Sequence, residues 1–137
     1  MGQPKFDIDI PFVHLLGIEL LEKADGRARI AFTPAREHLN SWKSIHGGVV
    51  MSLLDTALST ASRALDPGCI GCATVEMKTN FIAAATGPVF AAGRAQRAGR
   101  SLIYAEGEVV DAQGAVLAKA SGTFKLIHPA SGKDRGD

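Results

Sequence analysis

The feature that most constrains this chain is a His-Gly-Gly turn that leads directly into a periodic apolar segment. After His46, Gly47 and Gly48, apolar residues recur at the spacing of one buried helix face. They are Val50, Leu53, Leu54, Ala57, Leu58, Ala61 and Leu65. The glycines therefore stand at a helix start. The first backbone N–H groups of a helix lack intrahelical partners and carry the positive end of its dipole, so this turn is suited to hold an anion or a developing oxyanion.

An acid on the same helix makes the turn more informative. At about 100° per residue, Asp55 falls on the margin of the apolar face, where a helix covered by neighbours normally carries an uncharged residue. Taken singly, each feature fits a structural role: the glycines a cap, His46 a loop residue and Asp55 a solvated charge. Their combination is what indicates a functional site.

Composition sets the class of protein. The chain has 137 residues, 46% of them hydrophobic, and a net charge of +1 with scattered basic residues. We expect one domain with a substantial core and no nucleic-acid partner. No apolar run reaches the length of a membrane span, and the first residues do not resemble a signal peptide. We therefore expect a cytoplasmic protein with no membrane partner.

The two cysteines, Cys69 and Cys72, form a C-x-x-C sequence. A zinc site needs two further soft ligands, and His38 and His46 are not spaced as a ligand pair. A redox dithiol would be expected to open a helix, whereas the residues that follow alternate like a strand. We expect free structural thiols and no metal site.

The order of elements predicts an α+β domain. We expect a leader over 1–10, a single domain over 11–127 and a polar tail over 128–137, in which His128 has no evident role. Within the domain, the patterns indicate a short helix over 11–17, a hairpin through Asp25-Gly26, the long helix to about Leu65, and a meander of strands over about 73–81, 87–98, 101–111 and 115–127. In the first of these, the odd-numbered residues from Ala73 to Phe81 should share one face. One helix cannot cover both ends of such a sheet, so we expect at least a dimer.

The spacing Asn40-x5-His46-Gly47-Gly48-x6-Asp55 on this element order resembles the hot-dog-fold acyl-CoA thioesterases of the phenylacetate-degradation (PaaI) type. The likeness extends from Pro11 to Phe124. It implies a long central helix wrapped by a curved antiparallel sheet of five to six strands. It also implies a homodimer with active sites shared at the seam, and a dimer of dimers.

The resemblance also implies residue roles. Gly47 would donate its backbone N–H to the thioester carbonyl oxygen, with Asn40 and His46 supporting that site. Asp55 from the sister chain would attack the carbonyl carbon or activate a water. This agrees with the chemistry, since hydrolysis places negative charge on the carbonyl oxygen and a thiolate leaves without a strong general acid.

Two hydroxyl groups complete the implied catalytic set. Ser59 lies one turn after Asp55, on the same helix face, and is expected to hydrogen-bond the carboxylate or a shared water. Thr74 matches a strand position whose hydroxyl helps to orient the water. Each also fits an ordinary structural position, since serine is common at a helix margin and threonine in a strand.

The phosphates of coenzyme A require cations. We expect them to be held at the turn formed by Arg97, Gly99, Arg100 and Ser101, where guanidinium groups and backbone N–H groups lie together. The alternative is that these arginines are ordinary exposed hairpin charges. A P-loop or dinucleotide fingerprint is absent from the sequence. No bound cofactor is expected, because coenzyme A is part of the substrate.

Two other functions fit the same fold. One is dehydration of a hydroxyacyl thioester, although the Asn-His-Gly-Gly-Asp spacing argues against it. The other is a non-catalytic acyl-CoA-binding sensor, which would not need Asp55. The acyl group stays open between aromatic and medium-chain, with Ala83–Ala85 and the short helix from Phe12 to Leu16 as candidate pocket linings.

Overall fold

A computed structural model describes residues 5–130 of the chain. Those residues form two α-helices, α1 (Pro11–Leu16) and α2 (Gly47–Arg63), and six strands, β1 (Glu19–Ala24), β2 (Arg27–Phe32), β3 (Gly71–Phe81), β4 (Val89–Arg97), β5 (Leu102–Asp111) and β6 (Val116–Ile127). The predicted elements are thus confirmed within a few residues. A short 3-10 helix over Arg36–His38 was not predicted. None of the helices described is long and apolar enough to cross a membrane.

The local turn signals are also confirmed. Helix α1 begins with Pro11 and ends at Gly17, whose φ of 76° is the left-handed conformation that favours glycine. Asp25 and Gly26 both have positive φ, 52° and 76°. A two-residue hairpin between right-twisted strands requires that pair of conformations.

Every neighbouring pair of strands is antiparallel, and the sheet of the described chain runs in the order β1-β2-β4-β5-β6-β3. The expected meander is correct for β4, β5 and β6 but wrong for β3, which pairs with β6 at the far edge. The connection over 82–88 contains Gly87 and Pro88 and is too long for a tight hairpin. It passes the end of the sheet, where the N–H groups of Ile82 and Ala83 donate to the Leu117 carbonyl. The sheet is therefore open, with β1 and β3 at its edges.

Helix α2 lies against one face of this sheet, as the apolar stripe predicted. The stripe from Val50 to Ala61 is buried, with no member more than 6% exposed. The sheet supplies the other half of the core, through Ile30, Phe32, Ile103, Val109, Phe124 and Leu126. The architecture predicted from the sequence, one long helix on an antiparallel sheet, is confirmed.

A pair of glycines lets the helix approach the sheet closely. Gly93 in β4 and Gly107 in β5 are directly opposite each other. A Cβ on Gly93 would lie 2.7 Å from the Ala57 carbonyl oxygen of α2, and one on Gly107 would lie 2.9 Å from the Leu58 side chain. A side chain at Gly93 would therefore push the helix backbone away, and one at Gly107 would meet both the Leu58 side chain and the Ala92 carbonyl oxygen of β4.

Strand β3 carries a bulge that the sequence pattern did not predict. Thr74 pairs with Phe124 and Glu76 pairs with Thr123, so Val75 has no partner on β6. The expected alternation is therefore wrong before this point. Thr74 shares the helix-facing side with Phe124, whereas beyond the bulge the odd-numbered residues take that side.

Residues 5–9 of the expected leader are anchored to the domain. Phe6 is 5% exposed and belongs to the core, and the Leu20 N–H donates to the Lys5 carbonyl at 2.7 Å. Asp7 accepts hydrogen bonds from Arg63 and Lys23, both at 2.8 Å. A single apolar side chain and a paired acid fix this segment. The rest of the leader, 1–4, and the tail from 131 onward lie outside the described residues.

Candidate active site

The start of α2 holds a backbone donor that the fold does not use. His46 is the N-cap, and its Nδ1 accepts the Gly48 N–H at 2.8 Å. Its carbonyl oxygen accepts the N–H groups of Val49 and Val50 at 2.9 and 3.1 Å. Within residues 5–130, the Gly47 N–H has no acceptor. This is the free donor at the positive end of the helix dipole that the sequence predicted.

The cap also defines the form of His46. Because Nδ1 accepts a hydrogen bond, the neutral ring carries its proton on Nε2. The His46 side chain is exposed, and within residues 5–130 its only hydrogen bond is the one through Nδ1, so Nε2–H is available to a ligand. His46 therefore organises the turn through one nitrogen and keeps a donor on the other.

Asn40 builds the turn that precedes His46. Its Oδ1 accepts the N–H groups of Trp42 and Ser44 at 2.9 and 3.1 Å, and its own N–H donates to the Ser44 carbonyl at 2.8 Å. Lys43 inside the turn has a φ of 65°, a conformation that is uncommon outside glycine, asparagine and aspartate. The Asn40 side-chain oxygen is thus engaged in shaping the loop that leads to Gly47.

The same turn is tied to its surroundings by backbone hydrogen bonds. The N–H of Ile45 donates to the Ala85 carbonyl at 2.7 Å, and that of His46 donates to the His38 carbonyl at 2.8 Å. The entry to α2 is therefore fixed on both sides, which pre-organises the direction of the Gly47 N–H.

Asp55 and Thr74 are in direct contact. The Thr74 hydroxyl donates to Asp55 Oδ1 at 2.5 Å, and the Asp55 side chain is partly exposed on the margin of α2. Asp55 lies eight positions after Gly47 on α2, which is about 12 Å along the helix axis. One thioester group cannot contact both within a single chain.

Ser59 does not make the expected contact. Its hydroxyl donates to the Thr56 carbonyl at 3.2 Å instead of to Asp55. A helical serine has a carbonyl of the preceding turn within reach of its hydroxyl, and this local bond competes with the carboxylate. Within the described chain, the Asp55 side chain therefore takes its hydrogen bond from the neighbouring strand.

Two clefts lie on either side of the His46–Gly48 turn. The one beside Gly47, about 440 Å³, contains Ala83–Ala85 and no charged residue; its lining also includes Asn40, Trp42, Ser44, Ile45, Val50, Phe81, Ile82, Val109 and Leu117. The one beside Gly48, about 580 Å³, is lined by α1 residues Phe12, Leu15 and Leu16 together with Glu37, His38 and His46. The two segments expected to line an acyl pocket thus border different clefts, and the free N–H belongs to the uncharged one.

Sequence reasoning missed the aromatic residues of the uncharged cleft. Trp42 is 83% exposed at its rim, and the Phe81 ring lies 3.5 Å from the position that a Cβ on Gly47 would take. A tryptophan within a polar loop was a visible signal for Trp42. Nothing local marked Phe81, because its approach to Gly47 depends on the path of β3.

The predicted coenzyme A turn is partly engaged within the chain. Arg97 donates to the Arg100 carbonyl and lies 3.6 Å from the Asp66 carboxylate, and the Gly99 N–H donates to the Leu102 carbonyl. The Ser101 carbonyl accepts the Leu126 N–H. Arg100 is exposed and forms no ion pair with the described residues. Of the predicted cations, Arg100 is thus the one available to a phosphate.

His128 has a partner that the sequence did not indicate. Its Nε2 lies 2.8 Å from Asp66 Oδ2, and hydrogen bonds from His128 and from the Gly68 N–H lower the pKa of Asp66. This contact joins the end of β6 to the segment that follows α2. It belongs to the same exposed corner as Arg97.

The cysteines are free thiols, as expected. Burial raises the pKa of the Cys72 thiol to about 12 and also raises that of Cys69. Neither is therefore activated as a nucleophile at neutral pH. Among residues 5–130, no three His, Cys, Asp or Glu side chains are grouped so that they could hold a metal ion.

Comparison with known proteins identifies the family of the chain. The family model described as the thioesterase superfamily matches residues 43–118, more than half of the chain. A proposed esterase of Saccharolobus solfataricus is 30% identical over 117 residues, which cover 82% of this chain and 80% of that protein.

Two solved structures are similar over most of their length. The PaaI protein from the phenylacetic acid degradation operon of E. coli is 22% identical with a TM-score of 0.80, covering 89% of this chain and 88% of its own. A mutant of phenylacetic acid degradation protein PaaI from Thermus thermophilus is 25% identical with a TM-score of 0.76, covering 86% and 99%. With the family match and the shared fold, the chain belongs to the thioesterase superfamily of hot-dog-fold proteins.

Proposed function

We propose that this protein is an acyl-CoA thioesterase that converts a small aromatic or medium-chain acyl-CoA to the carboxylic acid and free coenzyme A. The Gly47 N–H carries the proposal. It is a donor without an acceptor among residues 5–130, at the positive end of a 17-residue helix and on the border of an apolar cleft. Such a group is suited to stabilise charge that develops on a carbonyl oxygen.

The carboxylate must come from a second copy. Asp55 and Gly47 of one chain are too far apart to contact one thioester, whereas β3 offers a free edge of 11 residues for pairing. Side chains on or next to this edge are exposed and apolar, including Ile70, Val75 and Phe81. We propose a homodimer joined through β3, with each Gly47 facing Asp55 of the partner subunit, and an assembly of two such dimers.

The chemistry needs few groups. Either the carboxylate oxygen of Asp55 attacks the thioester carbon and water then cleaves the resulting anhydride, or Asp55 takes a proton from a water that attacks the same carbon. In both courses the C–S bond breaks and its electron pair leaves with the thiolate, which is then protonated. The Gly47 N–H, worth about 2.7–4 kcal/mol by comparison with other oxyanion donors, stabilises the tetrahedral stage.

The lining of the uncharged cleft supports an uncharged acyl group. Ala83, Ala84 and Ala85 leave space, Val109 and Leu117 provide an apolar floor, and Trp42 and Phe81 provide aromatic walls. A charged acyl group would lose its hydration there without a compensating partner. At the other end of the substrate, the exposed Arg100 is the proposed cation for the phosphates.

The direct test is Asp55→Asn. This substitution keeps an oxygen that can accept the Thr74 hydroxyl but removes the base or nucleophile. We expect a loss of turnover of about 10²–10⁴-fold on a panel of acyl-CoAs assayed with a thiol-trapping dye. Unchanged circular dichroism and light scattering would show that fold and oligomer are kept, and near wild-type turnover would refute the proposal.

Mixing variants tests the shared site. Asp55→Asn and Gly47→Pro are each expected to be inactive, yet a mixed dimer contains one site with an intact Gly47 and an intact Asp55. After unfolding and refolding together, the mixture should regain roughly a quarter of wild-type activity, since half of random dimers are mixed and each has one good site. No recovery in a mixture shown to contain mixed dimers would mean that the site is not shared.

A further inference from the structure

Two contacts of the proposed site come from one strand, at an odd separation. The Thr74 hydroxyl reaches Asp55 at 2.5 Å, and seven residues later the Phe81 ring packs beside Gly47. In a regular strand, residues an odd number apart point to opposite faces of the sheet. Both side chains nevertheless lie against α2.

The bulge at Val75 resolves this conflict. Before it, Cys72 and Thr74 pair with the buried Leu126 and Phe124. After it, the residues that pair with the buried positions of β6 are odd-numbered; they are Met77, Thr79 and Phe81, opposite Gly122, Ala120 and Ala118. Directly paired residues share a face. The one extra residue therefore changes which residues of β3 face α2: even-numbered residues do so before Val75 and odd-numbered residues after it.

Core packing of Val75 does not account for the bulge. Within one chain the Val75 side chain is 58% exposed, so little apolar burial is gained inside the domain. The opposite strand is adapted to it: a Cβ on Gly122 would overlap the Glu76 carbonyl oxygen and would lie 3.0 Å from the Met77 Cα. A glycine is thus required where β3 closes again onto β6 after the bulge.

We propose that the Val75 bulge, accommodated by Gly122, is a positioning device of the active site: it directs Thr74 to Asp55 while it keeps Phe81 beside Gly47. The inference rests on the proposed thioesterase function. Val75 and Gly122 act through Thr74, and Thr74 acts by orienting the Asp55 carboxylate. The competing explanation is that the bulge serves only the structure of the sheet edge.

A double-mutant cycle on Val75 separates the two explanations. Val75→Gly frees the backbone at the bulge, and Val75→Ala is its matched control because it removes the same exposed side chain without that freedom. With phenylacetyl-CoA and hexanoyl-CoA as probes, Val75→Gly should lower kcat several-fold at unchanged KM, and the kcat of Val75→Ala should stay close to that of wild type.

The second half of the cycle uses a Thr74→Val background, which is itself roughly 10- to 100-fold slower. In that background Val75→Gly should have no further effect on kcat. Three outcomes would overturn the positioning role. They are an equal loss of kcat in Val75→Gly and Val75→Ala, an effect of Val75→Gly that adds to that of Thr74→Val, and an unchanged kcat in Val75→Gly.

Gly122→Ala gives a stronger perturbation, because its Cβ would overlap the Glu76 carbonyl oxygen. The kcat loss of Gly122→Ala should disappear in the Thr74→Val background. If Gly122→Ala does not fold, the Val75 cycle still decides, since Val75→Gly and Val75→Ala both shorten the side chain at the β3 edge and differ in the freedom of the backbone. A folded wild type that releases thiol from no acyl-CoA would overturn the proposed function and this inference together, whereas an active wild type with additive cycles would overturn this inference alone.

Discussion

The two ends of α2 differ in how completely their polar groups are used. At its start, the Gly47 N–H has no acceptor among the described residues, and His46 keeps one ring nitrogen free. Near its end, Arg63 is 5% exposed yet donates to both carboxylate oxygens of Asp7 and to the Thr60 hydroxyl. Lys23 adds a second cation to Asp7.

This difference indicates that the start of α2 serves function and that its end serves stability. Unused donors at the start cost little, because they border open clefts and water can solvate them. The buried guanidinium near the end has to be paired, because an unpaired buried charge is strongly destabilising. Substitutions at the start should therefore change turnover without changing stability, and substitutions near the end should do the reverse.

Among the substitutions that compare the two ends of α2, Gly47→Pro should have the largest effect, and that effect should be on turnover. Proline lacks the N–H but is favoured at the first position of a helix, and His46 has the extended conformation, φ −57° and ψ 139°, that a following proline requires. We expect about 10²–10³-fold lower kcat at nearly unchanged melting temperature.

Gly47→Ala is the control for that change. It keeps the N–H, and its Cβ would make an ordinary contact of 3.5 Å with the Phe81 ring. It should lose far less activity than Gly47→Pro. Equal losses would mean that steric crowding of the cleft, and not the donor, explains the effect.

Next in size is the loss of stability in Arg63→Met. The substitution keeps much of the apolar volume but leaves Asp7 with Lys23 alone. We expect about 2 kcal/mol lower free energy of unfolding in urea, less than the roughly 3–5 kcal/mol for a fully buried pair because Asp7 is partly exposed. The kcat of the folded variant should match wild type, and a fall in kcat at full stability would contradict the division between the two ends.

The smallest effect expected is that of Asp7→Asn, and it should depend on pH. Burial opposes ionisation of Asp7, but hydrogen bonds and charges of Arg63 and Lys23 outweigh it and lower the pKa of Asp7 from 3.8 to about 2. A lowered folded-state pKa stabilises the protein fully above about pH 4, and that contribution is lost as the pH falls towards 2. Allowing for solvent screening, the variant should be about 1 kcal/mol less stable at pH 7.

Chemical denaturation at pH 7, 5 and 3 measures this dependence. The difference between wild type and Asp7→Asn should be equal at the first two values and smaller at the third. A difference that is the same at all three values would mean that the Asp7 charge does not stabilise the folded state.

How much the sequence predicted depended on the range of the interactions. Helix α2, its buried stripe and the Asp25-Gly26 hairpin follow from local periodicity and turn chemistry, and they were predicted correctly. The position of β3 beside β6 and the bulge at Val75 arise from pairing between residues far apart in the chain, for which the pattern from Ala73 to Phe81 gives no signal. The anchoring of Phe6 and Asp7 was missed for the same reason, since their partners lie elsewhere in the sequence.

The candidate site shows the same limit. The free N–H at Gly47 was predictable, because it follows from where a helix begins. Thr74 entered the candidate site only through the family resemblance, as a hydroxyl that orients water, and its hydrogen bond to Asp55 was not predicted. The choice of the Thr56 carbonyl by Ser59 was not predicted either. Which of several neighbouring acceptors a hydroxyl selects depends on ångström-scale distances that no residue pattern encodes.

The facing glycines under α2 have a consequence for how such a chain can change over time. Ala57 and Leu58 rest over main chain at Gly93 and Gly107, so the height of the helix is set there by backbone thickness. Substitutions among aliphatic residues elsewhere in the core can then be accommodated by sideways shifts of side chains, without a change in the distance between the helix and the sheet. The distance of the Asp55 carboxylate from the sheet would stay constant while the residues of the hydrophobic core change in evolution.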